Sequence, residues 1–531
     1  MSNLKQLRDD AFQASAAAHD RLRHEISVFK NKGYREQTRV GAANAMVEQS
    51  LMPQIQKGCI RMIPAFREQI SKIKIETDKK NPTVQDSLYI KNIENWNEMY
   101  EEVDDEANRM RSHIYWNLIA GNAISKIRWD PEGKLVRSEG INPTSFAPDP
   151  QCTQSSFTDA GYLCQVNHHK LNYMKKYYQD WQPKRKSYNY RGDVRGYDQK
   201  HRVDEMWLKR DVADDCGINV SETKREMIKV VLIDDELHKA QPSPYWYPGF
   251  PFAHWRNFMD LDVDGKAHSF WGYGYGTLAW PQQKMLDEFV ANFLLILRNL
   301  GIGRFVATDG AIDEEQILPI MGSIIRLNPE IQGSIEANFK HLEPEQIPAA
   351  IIQSMEMFIN GINDMMPSLS EVFAGEAPYS NASGRAVASL QYANFNQLSD
   401  NIREMNEFRL RRQRIKYVIL QQFAQKPLKP HLWRGGLDMQ DPFPEDARHI
   451  GHKLSQPDLT SLPNTPAGKL QVLQVLISLG IQPKDPLDLL GITKGYGWTS
   501  DDFIQVPIQM PGMNPDAAVA TGQETAMPAE R

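Results

Sequence analysis

Three acidic residues alternate ahead of a glycine in Asp260-Leu-Asp262-Val-Asp264-Gly265, the opening of a calcium loop in which carboxylates at every second position converge on one hard cation. The position that should then supply a bidentate glutamate is Trp271, so the stretch reads as a polar turn. Cys152, Cys164, His168 and His169 are zinc-ligand types, but neither cysteine belongs to a Cys-x-x-Cys pair, and the four read as ordinary residues. Gly272, Gly274 and Gly276 imitate a dinucleotide-binding loop without the apolar strand that must precede it, which favours a close-packing turn. Gly468-Lys469 lacks the earlier glycine and the following Ser or Thr of a phosphate loop, and there is no serine-centred elbow or zinc-histidine pair. The chain therefore reads as non-enzymatic, with no catalytic residue, no cofactor and no metal. Any ATP-driven process it serves needs another subunit to hydrolyse the ATP.

A length of 531 residues with 41% hydrophobic and 24% charged residues suits two to four globular domains with real cores. The net charge of −6 argues against a broad basic face that grips nucleic acid, but not against a surface past which DNA slides. The longest apolar run, Phe289 to Leu297, is interrupted by Asn292 and covers about half a membrane crossing. Asp9 and Asp10 stand where a signal peptide would need an apolar core, so folding in a cytoplasm without membrane association is expected. On that expectation Cys59, Cys152, Cys164 and Cys216 stay reduced.

These residues must be positioned by a mixed set of elements. Residues 1–75 read as mostly helical, with Phe12, Leu22, Ile26 and Phe29 in one segment and Met46, Leu51, Ile55 and Ile60 in the next. Ile93, Trp96, Tyr100, Val103, Ala107 and Met110 step through an acidic helix whose solvated face holds Glu101, Glu102, Asp104 and Asp105. Short strands are expected at Ala123 to Trp129, Val203 to Lys209 and Met227 to Ile233, the last ending at an Asp234-Asp235 turn. Prolines and rings interleave from Pro242 to Phe252, the pattern of an irregular segment packed by its aromatics.

Beyond Gly276 the apolar spacing becomes helical. Met285, Leu286, Phe289, Val290, Phe293, Leu294 and Leu297 share one broad face, and after a compact stretch Ile351, Ile352, Met355, Phe358, Ile359, Ile362, Met365 and Met366 mark a second helix. Its polar side carries Glu356, Asn360 and Asp364. A loop of small residues, Pro367 to Ser383, leads into a proline-free run from Gly384 to Gln425, which as one helix would span roughly 60 Å. Arg403, Arg409, Arg411, Arg412, Arg414 and Lys416 lie on it, read either as contacts to DNA and adjacent subunits or as intersubunit and solvent salt links.

This order of parts resembles the portal proteins of tailed bacteriophages over roughly residues 40 to 490. "LIAGNAISKIRWDPEGKLVRSEGINPTSFAPDP", Leu118 to Pro150, looks like the helix, strand and turn of the portal wing. The resemblance implies an α+β, predominantly helical portal fold, assembled as a dodecameric ring. It divides the chain into N-terminal helices and wing (1–275), first stem helix (276–302), clip (303–347), second stem helix (348–367), tunnel loop (368–383), long wing helix (384–425), crown-like helical region (426–506) and a disordered tail (507–531). On this reading Glu356, Asn360 and Asp364 line the channel, and Glu371, Phe373, Glu376, Tyr379, Ser380 and Asn381 form the tunnel loop. Asp313, Glu314 and Glu315 of the clip dock the large terminase and later the tail adaptor, while Phe289, Phe293, Leu297 and Phe358 pack between subunits. The implied partners are further copies of the chain, double-stranded DNA, the terminase, the adaptor or head-completion protein, the major capsid protein and the scaffold. The implied place is one capsid vertex of the virion, reached after assembly in the host cytoplasm. Another ring of the head or tail would lack this order of stem, clip and loop, a helical nucleic-acid enzyme would need an intact motif that the chain does not show, and Pro367 to Ser383 has the alternative reading of an ordinary helix-helix linker on the outside of the ring.

Overall fold

The computed structural model describes residues 2–31, 52–68, 73–77, 104–133, 135–178, 200–218, 225–261, 269–301, 304–307, 339–342, 349–366, 398–423, 452–455, 481–483 and 503–505, with isolated positions between them. Helices α1 (Ser2–Ala14), α2 (Ala16–Phe29) and α3 (Gln54–Glu68) open the chain, followed by strand β1 (Lys74–Thr77). Helix α4 (Glu106–Ala120) leads into β2 (Asn122–Asp130), β3 (Leu135–Ile141), β4 (Phe146–Pro148) and β5 (Tyr162–Lys170). Then come α5 (Leu171–Tyr177), β6 (Lys200–Lys209), α6 (Arg210–Asp215), β7 (Met227–Ile233), β8 (Glu236–Pro242) and β9 (Phe252–Arg256). Two helices, α7 (Tyr275–Gly301) and α8 (Ala349–Met365), flank the short strands β10 (Arg304–Ala307) and β11 (Phe339–Leu342). Helix α9 (Ser399–Phe423) and strands β12 (His452–Ser455), β13 (Ile481–Pro483) and β14 (Phe503–Gln505) complete the set.

Two antiparallel sheets organise the body: β4-β5-β6-β7-β8 in sequence order, and the three-stranded β3-β2-β9. Every strand of the larger sheet follows its predecessor, so hairpin connections suffice. The tightest is β7 to β8, where Asp234 and Asp235 both take positive φ (47° and 68°), the two-residue turn whose twist matches the strands it joins. Between and beside the sheets, Phe146, Phe157, Phe252 and Phe270 meet in a ring cluster with centroids 5.4–6.3 Å apart. Trp207 and Trp255 are almost wholly buried in the same core. Burying rings of this size contributes about 2–3 kcal/mol each.

Helix α9 lies against β2 and β9 and buries Met405, Phe408, Ile415 and Ile419, one face at steps of three and four. Met110, Ile114 and Leu118 of α4 supply the matching stripe, and α4 ends on Gly121 at φ 66°. That left-handed residue lets the chain turn at once into β2.

Several expectations change. The acidic helix does not run unbroken from Ile93 to Met110: Asp105 is left-handed (φ 53°) and α4 begins after it. Asp104 is not solvated but 1% exposed, and it accepts from the Ser138 backbone N–H. Ile60 is 47% exposed, while Cys59, Met62, Ile63 and Phe66 form the buried face of α3. The described pieces of 426–506 are strands rather than helix, with β12 paired to β1 and β13 to β14. The rest of the crown-like region 426–506 and the tail 507–531 lie outside the described residues.

Candidate channel surface and its anchoring

Helices α7 and α8 pack side by side within the chain. Phe289 meets Phe358 with ring centroids 6.1 Å apart, and Leu286, Ile362 and Met366 are fully buried beneath them. At 100° per residue the buried side of α8 centres between Met355, Phe358 and Ile362, which puts Gln353, Glu356, Asn360 and Asp364 on the opposite side. All four are exposed. Exposed apolar residues stand on both borders of this polar stripe: Ile352 (48%) on one, Met357 (63%) and Met365 (38%) on the other. On α7, Leu278, Met285 and Leu294 are also exposed. Sequence periodicity found the two helices, but it did not separate the ring contact made within one chain, Phe289 with Phe358, from apolar groups left open.

Phe293 is half-buried, and Leu297 lies on the α7 backbone with its side chain outside the described residues. Also outside are Asp313, Glu314 and Glu315, and the loop residues Glu371, Phe373, Glu376, Tyr379, Ser380 and Asn381. So is Gly384 to Gln397, the first part of the expected long helix.

Arg409, Arg412 and Lys416 of α9 turn inward, contrary to their reading as DNA contacts or links to solvent and neighbours. Arg412 donates to both oxygens of Glu106, at 2.6 and 2.9 Å, and Lys416 donates to Glu106 at 3.0 Å. Lys416 also lies 3.7 Å from Asp104, which Arg109 pairs at 3.1 Å. Arg409 and Lys416 are 7% and 5% exposed; Arg403 and Arg414 remain exposed. Burial alone would raise the Glu106 carboxyl, but Arg412 and Lys416 hold it well below the usual carboxylate range. Beside them His113 is wholly buried, and burial, reinforced by Arg412, pushes its imidazole down to about 3. Sequence could not show this because Glu106 and Arg412 are 306 positions apart.

The glycine turn before α7 is a packing device. A Cβ on Gly274 would sit 2.0 Å from the Ile119 carbonyl oxygen, and one on Gly121 would sit 2.2 Å from the Tyr273 carbonyl carbon. Only two bare backbones can cross this closely. Asn122 fixes the crossing, accepting from the Gly272 N–H at 2.9 Å and donating to the Gly272 carbonyl at 3.0 Å. Further along α7, Gln283 accepts from the Gln54 N–H at 3.0 Å and donates to the Met52 carbonyl at 3.0 Å, tying the start of α3 to α7.

The candidate metal positions are otherwise engaged. Cys152 lies 3.4 Å from the Asp159 carboxylate, Cys164 is buried among apolar residues of the large sheet, and Asp260 accepts from the Tyr273 hydroxyl at 2.7 Å. Asp262 and Asp264 lie outside the described residues. Among the described residues no group of three or more His, Cys, Asp and Glu could hold a metal ion, and no helix is long and apolar enough to cross a membrane.

An α+β body thus anchors the two-helix limb through a close backbone crossing and buried hydrogen bonds, and the limb carries exposed apolar residues on both borders of its polar stripe. The sequence profile of the phage P22-like portal protein family matches residues 89–429, from ahead of α4 to beyond α9, and the chain belongs to that family. Portal proteins are structural ring subunits of the phage capsid vertex. A search among curated proteins finds no match to the chain.

Proposed function

We propose that twelve copies of this chain form the ring at one capsid vertex through which a separate terminase packages DNA, through which DNA later leaves, and to which the tail or its adaptor attaches. The observation that carries this is the polar stripe on α8 between two exposed apolar borders. In a closed ring each subunit meets two neighbours through different faces, so an element lining the bore needs one polar side toward the channel and apolar shoulders on each side. Glu356, Asn360 and Asp364 would then face DNA, and their carboxylates would discourage sticking to phosphates. On this reading α7 and α8 are the stem helices, the segment between them is the clip with its acidic docking residues Asp313 to Glu315, and Pro367 to Ser383 is the tunnel loop. Phe293 and Leu297, with the outer edges of Phe289 and Phe358, would meet the adjacent copy together with the exposed methionines.

The test is the mass of the purified full-length assembly together with one low-resolution image. A closed ring of about twelve subunits with an axial bore is expected. A monomer or dimer at micromolar concentration, or a ring without a projecting stem, would remove the reading; the second outcome would favour another ring of the head or tail. Cysteines placed at Ser370 or Ser380 test the loop separately, since crosslinking to packaged DNA carrying a thiol-reactive group is expected only if the loop faces the bore.

A further inference from the structure

Helix α5 is fixed to the large sheet by Met174, which is fully buried against Val203, Val231 and Ile233. On its other side Tyr173 and Tyr177 are four residues apart, the spacing that brings side chains together on one helical face, and His169 near the end of β5 continues the interval backwards. The three rings form a row. His169 and Tyr173 lie ring on ring, with 4.0 Å between centroids and 13° between planes, and Tyr173 and Tyr177 follow at 4.4 Å and 37°. Tyr173 is nevertheless 41% exposed and Tyr177 51%. Burial lowers the His169 imidazole, and His168 and Lys126 add to the effect, so the innermost ring is a neutral aromatic.

Cations surround this row. Lys176 Nζ stands 4.9 Å from the centre of the Tyr177 ring, and its pair with Glu132 at 3.3 Å is exposed on both sides and therefore weak. Lys175 is exposed on the next position of the helix. Where β5 and β6 end their ladder, Lys170 is directly opposite Lys200 and His168 opposite Arg202, and both lysines are exposed. Like charges directly opposite each other weaken a strand pair, a cost that a bound anion offsets. The sequence from Lys170 to Arg202 holds ten Lys and Arg against three Asp, a surplus of seven positive charges in a chain whose net charge is −6. The residues between α5 and β6 thus add charge of the same sign as these lysines and do not neutralise them.

An acidic peptide would satisfy the lysines but makes no use of open stacked rings, and a DNA duplex keeps its base faces covered. Unpaired nucleotides offer both a flat face to stack on tyrosine and a phosphate at each step. We propose that His169, Tyr173 and Tyr177, with Lys170, Lys175 and Lys176, form a platform for single-stranded nucleic acid on the outer side of α5. Bases stack on the two tyrosines and phosphates lie against the lysines, a mode of contact that reads charge and ring faces rather than sequence. The platform uses none of the residues assigned to the channel, and it stands whether or not α8 lines a bore.

Fluorescence anisotropy of the full-length protein with labelled oligo-dT and oligo-U of about 15 nucleotides tests the proposal. Both should bind at low salt, and log K should fall against log salt with a slope of about −2 to −3, as for three or four phosphates at about −0.7 each. The tighter of the two strands identifies DNA or RNA as the source. Tyr173→Ala combined with Tyr177→Ala should weaken binding about tenfold or more, whereas Tyr173→Phe with Tyr177→Phe, which keeps both rings, should stay within about twofold of the parent. Lys175→Ala should make the salt slope shallower by about 0.7. Binding of neither strand overturns the proposal, as does unchanged binding by the alanine pair. A duplex of the same length that competes as well as the single strands also overturns it, and so does polyglutamate that displaces them equally well, which would point to an acidic protein instead.

Discussion

Arg412 closes a two-pronged ion pair on Glu106 with its own side chain 2% exposed, so α9 is bolted to α4 by a largely desolvated charge pair. A buried pair of this kind adds little over a well-packed apolar pair, but removing one partner strands the other.

Arg412→Met should therefore cost about 3–5 kcal/mol, read as a fall in urea midpoint at fixed protein concentration. In a Glu106→Gln background the same change should cost much less, and the difference between the two measures the coupling. Equal cost in both backgrounds would show that Arg412 acts only by packing on Phe408 and Met110.

Acid should weaken the same region in two stages. The folded-state value of His113 lies near 3, below its ordinary 6.5, so the fold prefers the neutral ring. Its contribution is present above pH of about 6.5 and lost as pH falls toward 3, up to about 5 kcal/mol at about 1.4 kcal/mol per unit. Glu106 is also depressed, so its share is present above about pH 4.3, the ordinary carboxylate value, and disappears below it. Urea midpoints from pH 7.5 to 3.5 should fall steadily in the parent. In His113→Phe the decline between pH 6.5 and 4.5 should flatten.

Much of this body was legible in the sequence. Met227 to Ile233 is a strand with those bounds, the expected strands at 123–129 and 203–209 extend to Asn122–Asp130 and Lys200–Lys209, and the Asp234-Asp235 turn is present. Their β-branched runs and turn residues are local signals. What escaped notice depends on distant partners. β5 ends in Asn167-His-His-Lys170, which carries no strand pattern by itself and is held by pairing with β6. Charged residues on α9 read as surface because no local pattern announces that Glu106 and Asp104 will be waiting beneath them. The α8 stripe was legible because exposure there follows the helical period, whereas its role is a proposal that needs the neighbouring copy.

Phe293→Asp tests that neighbour. The residue is half-buried at the outer part of α7, away from the body core. The variant should keep the secondary-structure content and near-parental hydrogen-exchange protection of β2 to β9 while failing to form rings in sedimentation. Normal ring yield would place Phe293 outside the interface.

Glu356→Lys combined with Asp364→Lys tests the bore. A ring of lysines facing phosphate should slow packaging by a reconstituted motor, more strongly at low salt because screening is weaker. Packaging rates equal to the parent at every salt concentration would move this stripe off the channel wall.

The closure of the Arg412–Glu106 bolt inside a single chain has a genetic consequence. Damage there lowers the supply of folded subunits but gives a folded neighbour nothing wrong to bind, so coexpressed normal subunits should restore rings and the defect should be recessive. Damage to one apolar border of α8 does the opposite. The subunit folds, joins a growing ring by its intact side and stops it, so a minority of such copies should poison assembly dominantly.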